Sequence, residues 1–226
     1  MVAFSLCGAV VLVSFTNLVM LFLGVEILSI PVYVLAASNR TDKLSNEAGF
    51  KYFFMGSVAS AILLFGIALV YGATGSFDLV KIHEAVSGSL SHGVLFTMGS
   101  TLMLIGFLFK VSAAPFHMWT PDVYQGAPTP ITAYMSTIVK GAAVAGMFRL
   151  FLNIGATSNE HFVTALVVII AVTLIAANVI AAVQSNAKRL LAYSSVSHAG
   201  FMLGFFVHVK SENAVYLFFY VLTYAL

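Results

Sequence analysis

The sequence predicts an all-α protein: a polytopic membrane helix bundle with one broken helix. Three observations carry that prediction. Of 226 residues, 61% are apolar and only 8% carry a formal charge, where soluble domains average about 45–50% and about 25%. Ten Lys and Arg with eight Asp and Glu cannot coat a water-soluble globule of this size, and the mean hydropathy is +1.02. The apolar residues fall in blocks of about 20, the length that crosses a bilayer core, and not in the short alternating segments of a membrane β-barrel. One block ends at Ser112-Ala-Ala-Pro115 and is followed by Pro121, Gly126, Pro128 and Pro130, a density of prolines that interrupts regular helix.

The elements follow in order. Residues 2–37 hold two spans, a shortened one over 2–15 and a full one over 18–37, with Ser14, Thr16 and Asn17 at the turn. Residues 38–46 form the first charged loop, and a third span is expected over 50–72. Within the polar stretch 74–91, Phe77, Leu79, Val80, Ile82 and Val86 suggest a short helix at the membrane surface. The fourth span, 92–111, runs into the proline break. A fifth covers 131–152, a sixth 162–183 and a seventh 190–208. Residues 214–226 are apolar to the last, so the chain reads as a fragment with a truncated eighth span. Arg40, Lys43, Lys188 and Arg189 fall on one membrane face against Lys81, Arg149 and Lys210 on the other, which weakly favours the first as cytoplasmic.

Several function classes are excluded. A single cysteine, Cys7, cannot form an internal disulfide or supply the thiolates of an iron–sulfur cluster or structural zinc site. No metal site and no cofactor-binding site is therefore assigned to this chain. The formal charge of +2 gives no support to a nucleic-acid partner; the lipid bilayer is the expected surrounding. Neither a Gly-rich dinucleotide run nor a phosphate-binding loop occurs. The N-terminus lacks the basic region and cleavage site of a signal peptide.

Against this apolar background, a few ionisable residues need a reason. Glu26 is central in the second span and Lys140 in the fifth; Lys110 precedes the break, His117 follows it, Lys51 opens the third span, and His198 lies in the seventh. A charge at a span centre costs about 2.5–3.5 kcal/mol on insertion scales. Lys51 and Lys110 sit near span ends, where a side chain can reach the interface. A buried ion pair that only fixes helix register is a second structural reading, and a lone histidine often serves packing. The functional reading is a proton relay. A lysine among apolar atoms is pushed toward its neutral form, and a nearby carboxylate restores the charge. Glu26 beside Lys110 is such a switch, and Lys110, His117 and Lys140 then read as stations on a polar path, with Ser112 and Thr137 holding water. Broken helices at membrane depth survive where they line a wet cavity, and they mark ion sites in transporters built from inverted repeats.

The run 107–130, with Trp119-Thr-Pro-Asp-Val-Tyr-Gln-Gly-Ala-Pro128 at its centre, resembles the antiporter-like membrane subunits of respiratory complex I and the related sodium/proton antiporters. Residues 21–31 and 187–200 resemble the same family, and the Thr-Pro-Asp wording its N-type branch. The resemblance implies an inverted-repeat proton-transporter fold. The first antiporter-like repeat, about five spans, covers 1–152, and part of the second covers 153–226. It also implies that Glu26, Lys110, Lys140 and His117 carry the proton relay, with Lys51 and His198 as secondary members and Pro115 at the helix break.

By that resemblance the expected activity is proton translocation in an NADH–quinone oxidoreductase. NADH, flavin, iron–sulfur clusters and quinone are expected on partner subunits, other complex I membrane subunits are the expected neighbours, and the expected location is a bacterial inner membrane. A multisubunit sodium/proton antiporter is the alternative, and a structural subunit the third.

Overall fold

The computed structural model describes residues 1–87, 93–154 and 160–226, with the side chains of Glu160 and His161 left out. His92 and the side chain of His161 therefore lie outside the described residues, as does the start of the expected fourth span. Eleven helices are present among the described residues: α1 (Val2–Ser14), α2 (Leu18–Ala36), α3 (Lys43–Thr74), α4 (Leu79–Ala85), α5 (Val94–Val111), α6 (Trp119–Gly126), α7 (Thr129–Tyr134), α8 (Lys140–Ile154), α9 (Glu160–Ala182), α10 (Ala187–Leu203) and α11 (Asn213–Ala225). A π-helical turn, Met135–Val139, joins α7 to α8, so 129–154 is one long span. The protein is an integral, multi-pass membrane helix bundle: among the described residues, five helices are long and apolar enough to cross a bilayer. Exposed Val, Ile, Leu and Phe side chains cover the outside, as expected where the surrounding solvent is lipid.

The short connections hold their ends by local chemistry. Asn17 caps α2 by accepting from the Met20 amide at 2.8 Å, and Asp42 caps α3 through the Leu44 amide. Asp78 caps α4 by accepting from Val80 and Lys81, each satisfying an amide that has no partner in the first turn. The α1–α2 turn also pairs with the segment before α4: Leu18 N donates to Phe77 O and Leu79 N to Thr16 O. Helices α1 and α2 approach closely at Gly8, and α3 and α5 at Gly66 and Gly99, where a Cβ would collide with backbone.

The structure departs from the sequence reading in two places and bears it out in one. Helix α3 begins seven residues before the expected third span, because Asp42 provides the cap, so Lys51 lies two turns inside it. The expected short helix is α4, with Leu79 and Ile82 turned into the bundle against α8 and Val80 facing outward. The proline-rich segment is mostly helical. Pro121 and Pro130 occupy first turns of α6 and α7, where a missing amide hydrogen costs no internal bond.

Candidate functional site

The break follows α5. Ser112 ends that helix in the left-handed region, at φ 67°, a conformation uncommon for a residue with a side chain. Its amide still donates to Phe109 O, and Ala113 N to Leu108 O. Two side chains secure the irregular backbone: Trp119 Nε1 donates to Phe109 O at 3.2 Å, and Thr173 of α9 accepts from Ala114 N at 3.0 Å. Pro115 lies at the exposed edge of the break. Ser112 Oγ, His117 Nδ1 and Thr120 Oγ1 are buried with no hydrogen-bond partner. Three unpaired polar atoms around one backbone break form the kind of position where proteins hold ordered water.

Lys110 points from the end of α5 into the bundle and is 6% exposed. Its Nζ donates to Ser29 Oγ of α2 and stands 5.7 Å from the ring centroids of both Tyr33 and Tyr52, close enough for cation–π attraction. Glu26 lies one turn before Ser29 on α2 and accepts a hydrogen bond from Ser60 of α3. Ser60 and Lys110 border the same narrow gap between α3 and α5. Glu26 and Lys110 are thus brought to one region but not into an ion pair: no carboxylate lies within 4.0 Å of Lys110 among the described residues. Glu26 accepts from one serine hydroxyl and Lys110 donates to another.

Lys140 follows the π turn and is 1% exposed. It donates to the Ser195 carbonyl of α10 at 2.8 Å and to Ser195 Oγ. Ser195 Oγ in turn lies 2.7 Å from Tyr224 Oη of α11. His198, one turn after Ser195, has Nδ1 2.8 Å from Tyr220 Oη. Ser195, His198 and Tyr224 line a cavity of about 490 Å³ with Thr132 and Lys188. His117 is half-buried, its ring 6.4 Å from that of Tyr193 on α10. Thr137 does not lie between the lysines. It bonds Ala133 O and borders an outward apolar groove between α1, α8 and α11.

Lys51 belongs to a separate cluster. Its Nζ is 2.6 Å from Asp122 Oδ2 of α6 and 2.6 Å from Glu47 one turn earlier. Arg189 of α10 donates to Asp122 Oδ1 at 2.7 Å and to Gln125. Burial acts to raise the Asp122 carboxyl, but the hydrogen bonds from Lys51 and Arg189 outweigh it and hold it below the usual range. Asp122 therefore ties α3, α6 and α10 together at one end of the bundle. Among the described residues no three His, Cys, Asp or Glu side chains gather to hold a metal ion.

Ser29, Ser60, Thr173, Ser195, Tyr224 and the Asp122–Arg189 pair escaped sequence reasoning. A signal was present for two. Ser29 stands one turn from Glu26 on the same helix face, the spacing at which side chains meet a common partner, and Ser60 is a hydroxyl in an apolar stretch. For the others the partner lies far along the chain.

The chain has clear relatives. Residues 16–226 match the family model described as NADH:quinone oxidoreductase/Mrp antiporter, transmembrane. The NADH-quinone oxidoreductase subunit N of Flavobacterium johnsoniae is 50% identical over 230 residues, covering 99% of this chain and 49% of that protein. The protein of the same name from Cytophaga hutchinsonii is 48% identical, covering 100% and 49%. A chain in the structure of respiratory complex I from Thermus thermophilus with bound aureothin superposes with a TM-score of 0.84 at 40% identity, covering 98% of this chain and 47% of that one. The chain spans about half the length of the curated relatives it matches.

Proposed function

This chain belongs to the NADH:quinone oxidoreductase/Mrp antiporter membrane family, and from that premise we propose that it forms part of the proton-translocating subunit of an NADH–quinone oxidoreductase. Protons move through the relay Glu26, Lys110, His117 and Lys140, with Lys51 and His198 as secondary members, driven by quinone reduction elsewhere in the complex. NADH, flavin, iron–sulfur clusters and quinone are bound by partner subunits, and other membrane subunits of the complex and the lipid of a bacterial inner membrane surround it. Residues 1–152 belong to the first inverted repeat and 153–226 to the second.

The observation that carries this reading is the pair of buried lysines, Lys110 and Lys140, each bonded to a serine hydroxyl and neither paired with a carboxylate among the described residues. A permanent structural ion pair would place a carboxylate against each, since one unpaired buried charge costs several kcal/mol. The unpaired buried atoms at Ser112, His117 and Thr120 support a hydrated connection past the break.

The test uses membranes carrying the full-length protein in its complex. Lys140→Ala is expected to lower proton pumping, followed by acridine-dye quenching, and to lower quinone turnover with it. Unchanged pumping in a complex that assembles fully on a native gel defeats the relay. Sodium-driven proton exchange from a protein that does not migrate with NADH-oxidising activity places the chain among the antiporters instead.

A further inference from the structure

We propose that Ser195 and Tyr224 form a hydroxyl bridge through which protons pass between Lys140 and the open cavity beside α10; this rests on the relay reading above and adds two residues to it. The two acceptors of Lys140 differ in chemistry. The Ser195 carbonyl accepts a hydrogen bond at 2.8 Å but has no proton to pass on. The Ser195 hydroxyl accepts from the same ammonium and donates as well. That hydroxyl is 2.7 Å from Tyr224 Oη, and the Tyr224 ring centroid is 5.9 Å from Lys140 Nζ, so the phenol closes over the ammonium and its partner together.

A residue needed only to pin Lys140 in place has no use for the second hydroxyl. Here the hydroxyls lead somewhere. Ser195 and Tyr224 line the cavity of about 490 Å³, large enough for several waters. His198 forms its wall, with its ring centroid 5.0 Å from that of Tyr224 and its Nδ1 held by Tyr220 Oη. Lys140 itself does not line this cavity, so the serine and the tyrosine stand between the two.

The transfer balances. One N–H bond of the Lys140 ammonium breaks as an O–H bond forms at Ser195 Oγ. The original Ser195 hydroxyl proton passes to Tyr224 Oη, and the phenol proton passes to a cavity water. Lys140 ends as a neutral amine, both hydroxyls end neutral, and one proton has moved to the water. Rotation of the two O–H groups resets the bridge.

Three variants of the full-length protein in its native complex test this. Ser195→Ala removes the hydroxyl and keeps the carbonyl contact; Tyr224→Phe removes only Oη; Ser195→Thr restores a hydroxyl at the same carbon. Pumping in inside-out vesicles is expected to fall about a hundredfold or more in Ser195→Ala, the range for removing a proton-transfer group. The fall is smaller in Tyr224→Phe, because Ser195 also borders the cavity. The solvent deuterium effect on pumping changes in both, and Ser195→Thr recovers most of the rate.

Wild-type pumping with an unchanged deuterium effect in Ser195→Ala overturns the bridge, and so does equal impairment in Ser195→Ala and Ser195→Thr. If Ser195→Ala does not assemble, Tyr224→Phe decides on the same deuterium readout. Lys140→Ala separates the two levels. Full pumping in that variant removes the underlying relay, whereas lost pumping there with a silent Ser195→Ala removes only the bridge.

Discussion

Replacing Gly8 by Ala tests whether α1 seats α2 as closely as the structure places it. A Cβ at residue 8 would lie 2.2 Å from Leu28 N, 2.6 Å from Ile27 C and 2.7 Å from Leu28 Cα. These are backbone atoms, so no side-chain rotation relieves the collision, and in an interior packed like an organic crystal the helices must separate by on the order of 1 Å. Overpacking of this kind costs about 1–3 kcal/mol. The separation also strains the bond from Ser5 Oγ to Leu28 O, 2.8 Å long and buried, worth about 1 kcal/mol. Alanine returns about 0.8–1.0 kcal/mol through its helix preference, leaving a net loss of about 1–3 kcal/mol. At about 2.1 cal/mol/K of unfolding entropy per residue, a change of that size lowers Tm by about 1–3 °C in a full-length protein roughly twice as long as this chain. The assay is thermal unfolding of the full-length protein in mild detergent, with Gly204→Ala as control, since nothing lies within 4 Å of a Cβ there. Because Leu28 precedes Ser29, the acceptor of Lys110, pumping should fall along with stability. Gly8→Ala melting with the control at wild-type temperature refutes the close α1–α2 contact.

Two further outcomes follow from the ends and the break of the bundle. Asp122→Asn should lower Tm near neutral pH by removing the acceptor shared by Lys51 and Arg189. The carboxyl is held below its usual value in the folded state, so its contribution is present above the unfolded value of about 3.9 and is lost as pH falls through the folded one. The gap between wild type and variant should therefore be constant over the neutral range and close in acid; an equal gap at both extremes contradicts the ion pairs. Thr173→Val leaves the buried Ala114 N–H without its acceptor, at a cost of about 1–3 kcal/mol, while Thr173→Ser keeps the oxygen. Equal melting temperatures for the two variants argue against Thr173 as the support of the break.

The spans were legible because hydrocarbon demands long apolar helices, and a 20-residue block leaves little else to form. Ser14, Thr16 and Asn17 announced the first turn, and Asn17 is indeed the cap of α2. The start of α3 was misread because Ser45 and Glu47 look like loop residues and Lys51 like the opening of a span. Their polarity is answered elsewhere in space: Ser45 donates to Ala36 O across the turn, and Lys51 meets Asp122 seventy-one residues away. The proline-rich segment misled for a related reason. Prolines forbid helix interiors but not first turns, and density alone does not reveal which position each occupies. The buried ionisable residues stood out by cost, since Lys110 and Lys140 are foreign to their surroundings. Their partners did not, because a serine in an apolar helix costs little and carries no mark of the lysine it will meet.

The two ends of this charge distribution follow different rules, and the contrast bears on the proposed relay. At the bundle end, Lys51, Glu47, Asp122 and Arg189 satisfy one another as ions; neutralising Lys51 strands Glu47, and neutralising Asp122 strands Arg189. In the interior, Lys110 and Lys140 are bonded to hydroxyl and carbonyl oxygens. Those acceptors remain neutral whether the lysine is charged or not, so loss of the proton abandons no buried counter-ion, the step that makes broken ion pairs cost about 3–5 kcal/mol. Glu26, tied to Ser60 one turn from Ser29, is near enough to favour the charged lysine without being locked to it. A lysine that must change its charge during a cycle is best held by groups indifferent to that charge, and both interior lysines are held in that way.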